Sequence, residues 1–173
     1  MKKIAVFGKP GGGKSTLSKK LSTITGIKLC PLDLIEYQKN GERISLDKYT
    51  ALHEELIKGE SWIIEGFGSI DSFWSRVDAA DTLIYVDLPY RIHYWWVLKR
   101  LLFSPFIKPE GWPDGSSVIK GSLNGWKYLR LSPKFWTADF YKKLKEVSGG
   151  KQVYRISSVA ELNQFANACA RSL

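Results

Sequence analysis

A glycine-rich segment near the N-terminus constrains this chain more than any other feature. It reads Gly8-Lys9-Pro10-Gly11-Gly12-Gly13-Lys14-Ser15 and fits the pattern G-x-x-x-x-G-K-[ST] at every defined position. The apolar run at residues 4–7 predicts a buried strand before the segment, and the apolar spacing of residues 14–25 predicts a helix after it. A strand-to-helix turn of this composition is typical of a phosphate-binding loop.

The residue types in this loop match what a bound triphosphate requires. Glycines let successive backbone N–H groups point inward at phosphate oxygens, and the following helix N-terminus adds partial positive charge. Lys14 is expected to reach the β- and γ-phosphates, Ser15 to ligate Mg²⁺, and Thr16 to reach the α-phosphate. The predicted ligands are therefore ATP and Mg²⁺, and the predicted binding residues are Gly8, Pro10, Gly11, Gly12, Gly13, Lys14, Ser15 and Thr16.

Strands and helices alternate along the rest of the chain. Apolar runs and turn residues predict strands at 27–30, 61–65, 82–87 and 152–156, and helices at 45–58, 71–79, 89–103, 136–147 and 159–171. Residues 104–125 are rich in proline and glycine and predict a long loop. Such alternation favours a parallel sheet covered on both faces, and 173 residues favour one domain over 1–173.

Composition excludes several classes of protein. With 44% apolar and 25% charged residues, the chain is neither disordered nor fibrous. Cys30 and Cys169 are too few for a disulfide scaffold and lack metal-ligand spacing. The apolar run after Met1 is too short for a secretory signal, and no run reaches the roughly 18 residues of a membrane span. We therefore expect a cytoplasmic protein without a transmembrane segment.

Positive charge is concentrated in one part of the chain. The net charge is +9, yet residues 89–145 alone contain 11 basic and 3 acidic side chains, together with five of the seven tryptophans. Such a region attracts polyanions. It is interpreted first as a lid that closes over a triphosphate. A nucleic-acid surface, a tryptophan-rich membrane or partner contact, and a solvated basic helix face remain alternatives.

Together these motifs resemble the P-loop kinases of the adenylate kinase-like group. More narrowly, the chain is similar to small bacterial proteins described as topology modulation or adenylate kinase-related. The matching pieces are the loop, Leu32-Asp33 and residues 62–66, 80–89 and 97–100. The resemblance implies an α/β fold, a three-layer α/β/α P-loop arrangement whose five-stranded parallel sheet has the order 2-3-1-4-5. It also implies a basic helical lid at about 100–130 and transfer of the γ-phosphoryl group of ATP to a small acceptor such as a nucleoside or nucleotide.

The resemblance also implies roles for four residues outside the loop. Glu65 ends a strand where the family holds Mg²⁺ through water, usually with an aspartate, and is otherwise a carboxylate at the strand end. Asp33 would accept the proton of the attacking hydroxyl or bind the acceptor, and is otherwise a turn residue. Arg76 would meet the acceptor, and Arg100 would act as a lid arginine that stabilises the transferred phosphoryl group. Both arginines are otherwise solvated helix residues, and Lys14, Asp33 and Arg100 are the predicted catalytic residues.

Two departures from adenylate kinases bear on the substrate. The run Gly66-Phe67-Gly68-Ser69 lacks the arginine that those enzymes place there to clamp a monophosphate. Trp96 stands where relatives carry an arginine that stacks on the donor base, and it either stacks in its place or packs in the core. An acceptor other than adenylate is therefore favoured. The alternative function is a nucleotide-dependent regulatory protein that binds nucleic acid or a protein partner, with little kinase activity.

Three further polar residues lie outside the predicted site. Asp87 ends the fourth predicted strand, so it either supports the metal site or caps the helix that follows Pro89. His53 and His93 lie in helical patterns without cysteine or histidine partners at ligand spacing. Both histidines are therefore predicted to be helix-face residues rather than metal ligands.

Overall fold

Five short strands form one parallel sheet in the computed structural model, which describes residues 1–38, 42–103 and 118–171. The strands are β1 (Lys3–Gly8), β2 (Leu29–Pro31), β3 (Trp62–Glu65), β4 (Thr82–Val86) and β5 (Gln152–Ile156). Their order is β2-β3-β1-β4-β5, and every neighbouring pair is parallel. The predicted fold class and strand order are confirmed.

Eight helices pack around this sheet in the part of the chain that is described. They are α1 (Lys14–Thr25), α2 (Leu32–Glu36), α3 (Leu46–Lys58), α4 (Ile70–Ala79), α5 (Tyr90–Phe103), α6 (Val118–Leu131), α7 (Ala138–Val147) and α8 (Val159–Arg171), with a 3₁₀ turn at Ser132–Lys134 between α6 and α7. Ser45 and Thr137 cap α3 and α7 by accepting backbone N–H bonds, as residues of this type do at helix starts.

The central strand β1 is apolar at successive positions because both of its faces are buried. Alternate side chains of β1 point to opposite faces of the sheet, and both faces are covered by helices. Ile4 and Val6 pack with α1 and α8, whereas Ala5 and Phe7 pack with α4 and α7. All four side chains have no exposed surface. The sheet therefore presents only the carboxyl ends of its strands to ligands, which is where parallel α/β sheets bind them.

The aromatic residues that follow α6 in the sequence belong mainly to the core. The Trp136 ring stacks on Tyr85 at 5.1 Å between centroids, and Phe140 packs edge-on against it at 4.8 Å. Phe135 contacts both rings. The tryptophan-rich segment predicted as a single lid or surface is therefore divided: part of it fills the interior beneath the sheet, and part lies on α5 and α6.

Two helices were not predicted from the sequence. The short helix α2 lies within a stretch expected to be irregular, and α6 lies over residues where a loop was expected up to residue 125. The glycines of α6 lower its intrinsic helix propensity, but Leu129 is fully buried, and tertiary packing of this kind can override propensity. Residues 104–117 of the predicted loop and lid lie outside the described residues.

Within the described ranges, no helix has both the length and the apolar character that crossing a bilayer requires.

Candidate active site at the carboxyl edge of the sheet

The glycine-rich loop follows β1 and is fixed by close packing. Gly11 and Gly13 have φ angles of +69° and +76°, a left-handed conformation that other residues rarely adopt. A Cβ atom at Gly11 would lie 2.5 Å from a methyl group of Val97 on α5, and one at Gly13 would lie 3.1 Å from the Trp96 ring. The loop therefore needs glycine at both positions, and α5 supports it from below.

Lys14 begins α1 and points back across the loop. Its Nζ donates to the backbone carbonyl of Lys9 at 2.9 Å. Burial lowers the pKa of the Lys14 ammonium, the carboxylates of Glu65 and Asp33 oppose that shift, and Arg100 adds to it. The structure thus brings together four predicted residues from four different elements around one point at the edge of the sheet.

Ser15 and Glu65 face each other beneath the loop. The Ser15 hydroxyl lies 3.3 Å from Oε2 of Glu65, close enough to donate a hydrogen bond. Glu65 is 7% exposed, and burial raises the pKa of its carboxyl while Lys14 opposes the shift. A hydroxyl beside a carboxylate is the oxygen donor set that Mg²⁺ prefers, so these residues fit the metal. Among the described residues no group of three or more His, Cys, Asp or Glu gathers as a metal cluster, so phosphate and water oxygens would complete the coordination.

Asp33 lies in the short helix after β2 with its side chain exposed. Its carboxylate acts electrostatically on Lys14, Glu65 and Arg100, which places it on the same side of the sheet as the loop. Its neighbour Glu36 is paired with Arg43 instead. Asp33 therefore faces solvent next to the loop, as an acceptor-binding carboxylate must.

Arg100 and Trp96 lie one helical turn apart on α5 and line a cleft of about 290 Å³ beside the loop. Burial lowers the pKa of the Arg100 guanidinium, and Asp33 and Glu65 oppose that shift. The remaining lining residues are Gly11, Gly13, Thr16, Leu17, Lys20, Leu162 and Asn163. Trp96 forms a wall of this cleft and also packs against the core, whereas stacking of its ring on a donor base stays a prediction.

The sequence reasoning did not identify Leu162 and Asn163 as site residues. They lie near the start of α8, which follows the last strand of the sheet. Their position after the last strand could have indicated them, because residues that follow the carboxyl ends of parallel strands often line ligand sites.

Arg76 was predicted to contact the acceptor directly, but its position in the interior does not allow that contact. The side chain has no exposed surface. Its guanidinium donates to the backbone carbonyls of Gly66 and Phe67 at 2.9 and 3.1 Å, and to Nε2 of His53 at 3.3 Å. Burial lowers the pKa of Arg76 to about 10. Arg76 therefore supports the turn that follows β3. Glu65, the last residue of β3, comes directly before this turn.

His53 is likewise buried, on α3, and not on an exposed helix face. Burial, reinforced by the adjacent Arg76, lowers the pKa of its imidazole to about 4. The neutral ring can therefore accept the hydrogen bond from the guanidinium through Nε2.

Asp87 takes neither of its predicted roles. It pairs with the ammonium of Lys9 and accepts hydrogen bonds from Arg155 Nε at 2.9 Å and from the Tyr85 hydroxyl at 3.0 Å. Burial raises the pKa of Asp87, but the hydrogen bonds from Lys9 and Arg155 outweigh it, so the net shift is downward. The Lys9 ammonium also lies 4.9 Å from the centre of the Tyr90 ring. These contacts tie the first turn of the loop to β4, β5 and α5.

His93 lies directly beneath the loop and has no exposed surface. Its Nδ1 lies 2.8 Å from the Pro10 carbonyl oxygen, an acceptor, so Nδ1 carries the proton. Burial lowers the pKa of His93 to about 4, and the ammonium groups of Lys14 and Lys9 act in the same direction. A Cβ atom at Gly12 would lie 2.8 Å from Cε1 of this ring. His93 is thus a neutral support of the loop, on the buried face of α5.

Comparison with known proteins finds solved structures of similar fold. No protein-family model matches the chain, and no curated protein sequence matches it. The shikimate kinase from Acinetobacter baumannii, solved in complex with shikimate, is similar in structure with a TM-score of 0.63 and 16% identity, over 99% of this chain and 92% of that one. A sugar kinase from a Janibacter species, solved without ligand, gives a TM-score of 0.48 and 14% identity, over 98% and 90% of the two chains. The similarity to shikimate kinase shows that this chain has a P-loop kinase fold.

Proposed function

We propose that this chain is an ATP-dependent phosphotransferase that moves the γ-phosphoryl group of ATP to a hydroxyl group of a small molecule. The observation that carries the proposal is the convergence of Lys14, Asp33, Glu65 and Arg100 at one edge of the sheet. Phosphoryl transfer requires positive charge around the transferred group, a metal ligand beside the phosphates and a group that orients the nucleophile. These four side chains supply all three.

Each residue has a defined part in the proposed reaction. Asp33 orients the acceptor hydroxyl and accepts its proton as the new O–P bond forms. Lys14 and Arg100 hold the negative charge that develops on the phosphoryl oxygens and on the leaving diphosphate. Ser15 and Glu65 hold Mg²⁺, Glu65 through water, and the bound metal neutralises phosphate charge.

The cleft beside the loop is proposed to take the nucleoside part of ATP. Trp96 offers an aromatic surface on which a base can stack, and Asn163 offers an amide that can both donate and accept hydrogen bonds. Lys20 and Thr16, at the end nearer the loop, favour the α-phosphate there.

The surroundings of Asp33 favour an acceptor without a phosphate group. Arg43 is engaged with Glu36, and Arg76 is enclosed beneath the Gly66–Phe67 turn. Neither guanidinium is therefore placed to clamp an anionic acceptor. A nucleoside or another hydroxylated metabolite fits this environment better than a nucleotide does.

Within the P-loop kinases, we propose the adenylate kinase-like group, and within it the bacterial topology modulation and adenylate kinase-related proteins. The support is the set of short motifs given above, from the phosphate loop to residues 97–100. Because no arginine follows Phe67, adenylate itself is disfavoured as the acceptor.

The test is transfer from γ-labelled ATP with Mg²⁺ to a panel of nucleosides, nucleotides and hydroxylated metabolites. We expect the wild-type protein to label at least one acceptor. Asp33→Asn is expected to lower the transfer rate by about 10²–10⁴-fold while leaving ATP affinity unchanged, because it removes the proton acceptor only. Asp47→Asn, at an exposed site on α3, is the matched control.

Two results would contradict the proposal. One is equal transfer rates in wild type and Asp33→Asn. The other is no labelled acceptor together with tight, nucleotide-dependent binding of an oligonucleotide or a protein, which would favour the regulatory alternative.

A further inference from the structure

The outward side of the α5–α6 helix pair carries exposed apolar side chains that the proposed phosphotransfer does not use. The two helices run antiparallel, since the Tyr94 and Trp126 rings contact at 5.1 Å and the Ser132 hydroxyl lies 3.2 Å from that of Tyr90. On α5, Trp95 is 60% and Leu102 61% exposed. Among the side chains that the structure describes, the exposed large apolar ones of the pair are Trp95, Leu102 and Phe103 on α5 and Leu123, Trp126, Tyr128 and Leu131 on α6. We call this surface the α5–α6 outer face.

Charge on the same surface is entirely positive. Arg91, Lys99, Lys127 and Arg130 are exposed on the two helices, and neither helix sequence contains an aspartate or glutamate. On α5, Arg91, Trp95, Lys99 and Leu102 recur at spacings of three and four, so they share one side of the helix. Basic and apolar groups are thus interleaved on a single exposed face.

A helix that is apolar on its inner side is expected to be polar outside. Helix α5 departs from that rule, because His93 and Val97 pack beneath the phosphate loop while Trp95 and Leu102 are exposed on the opposite side. Large exposed apolar groups rimmed by charge mark a surface that binds something.

We infer that the α5–α6 outer face docks on an anionic lipid bilayer. Lysine and arginine are attracted to acidic headgroups, and tryptophan, leucine and phenylalanine insert at the boundary between headgroups and acyl chains. The aliphatic side chains of Leu102, Leu123 and Leu131 neither stack on bases nor bind phosphates, so they disfavour nucleic acid. A second copy of the chain would bring like charges together across a two-fold axis, since the face contains no carboxylate.

The experiment is co-sedimentation of the full chain with vesicles of phosphatidylcholine alone or mixed with phosphatidylglycerol. We expect binding only to the anionic vesicles, release by salt because the charges are exposed, and a blue shift of tryptophan emission on binding. Trp95→Ser/Leu102→Gln and, separately, Lys127→Glu/Arg130→Glu are each expected to weaken binding about tenfold or more.

Matched variants on α3 serve as controls. Leu46→Gln/Leu52→Gln removes two exposed leucines, and Lys48→Glu/Lys58→Glu makes the same charge change on α3. Both should bind anionic vesicles as wild type does. Thermal unfolding of every variant checks that the fold is retained, and the charge variant keeps the apolar surface intact in case the apolar variant unfolds.

Four results would overturn the inference. They are no binding to anionic vesicles, equal binding to both vesicle types, equal loss in the α3 controls, and wild-type binding in both outer-face variants. Without vesicle binding, oligonucleotide binding that the outer-face variants lose would assign the face to nucleic acid. A dimer that Trp95→Ser/Leu102→Gln dissociates, again without vesicle binding, would assign the face to a second copy.

Discussion

At the phosphate-loop end of the proposed site, buried contacts with distant segments fix the loop, whereas at the acceptor end the predicted base Asp33 is exposed. The loop is enclosed by α5, and Lys9 ties it to Asp87. The acceptor end relies on exposed Asp33 and on a turn supported by the buried Arg76. The comparison teaches that the phosphate loop is held by many buried contacts, whereas the residue proposed to bind the acceptor is open to solvent.

The largest expected effect on nucleotide affinity is at the phosphate end. Lys14→Ala removes the charged group proposed to contact the phosphates, and loss of one partner in a buried charged contact weakens binding by about 100-fold or more. Calorimetry with ATP and Mg²⁺ measures it. Lys28→Ala, at an exposed site beside the same sheet, should bind ATP as wild type does. Unchanged ATP affinity in Lys14→Ala would show that the loop does not hold the nucleotide as proposed.

The next effect is at the acceptor end and concerns stability. Arg76→Met keeps most of the side-chain volume but leaves the carbonyls of Gly66 and Phe67 without their donor. We expect a loss of about 2–4 kcal/mol in the free energy of unfolding, since each unsatisfied buried group costs about 1–3 kcal/mol. Urea denaturation measures this loss. Arg91→Met, at an exposed site on α5, should change stability little, and equal stability of the two variants would contradict the supporting role of Arg76.

The third prediction compares the two ends directly through the pH dependence of stability. His93 supports the phosphate loop and His53 supports Arg76, and burial lowers the pKa of each imidazole from 6.5 to about 4. The unfolded chain therefore binds protons that the folded chain does not, so stability is full above pH 6.5 and falls as the pH drops toward 4. The slope should approach about 1.4 kcal/mol per pH unit for each group.

Urea denaturation between pH 7 and pH 4.5 measures this slope in wild type, His53→Gln and His93→Gln. Each substitution should reduce the slope by a similar amount because the two pKa values are alike. A slope that neither substitution changes would assign the acid sensitivity to other groups, such as the carboxylate of Asp87, whose pKa is lowered.

The local features of the site could be predicted from sequence. The spacing of the loop, the apolar strands and the carboxylate at the end of β3 are each contained in a few consecutive residues. Parallel α/β topology then brings strand ends together, which is why Asp33, Glu65 and Lys14 meet as expected.

Contacts between distant residues could not be predicted in this way. Asp87 pairs with Lys9, which lies 78 residues away in the sequence. Because local sequence does not reveal such a partner, Asp87 was interpreted as a support of the metal site or as a helix cap. Arg76 and His53 are polar residues, yet both are buried, and Arg76 donates there to two backbone carbonyls and to His53. Helix α6 forms despite its glycines, with Leu129 fully buried, since tertiary packing can override local propensity.

The most direct test of the central claim is the rate of γ-phosphoryl transfer in Arg100→Met beside Lys99→Met. Arg100 lines the cleft and interacts with Asp33 and Glu65, whereas its neighbour Lys99 is exposed and does not line the cleft. Loss of an arginine that stabilises the transferred group lowers the rate by about 10³-fold or more. We predict that loss for Arg100→Met and a nearly unchanged rate for Lys99→Met. Equal rates in the two variants would contradict the claim that the two ends of the site form one phosphotransferase centre.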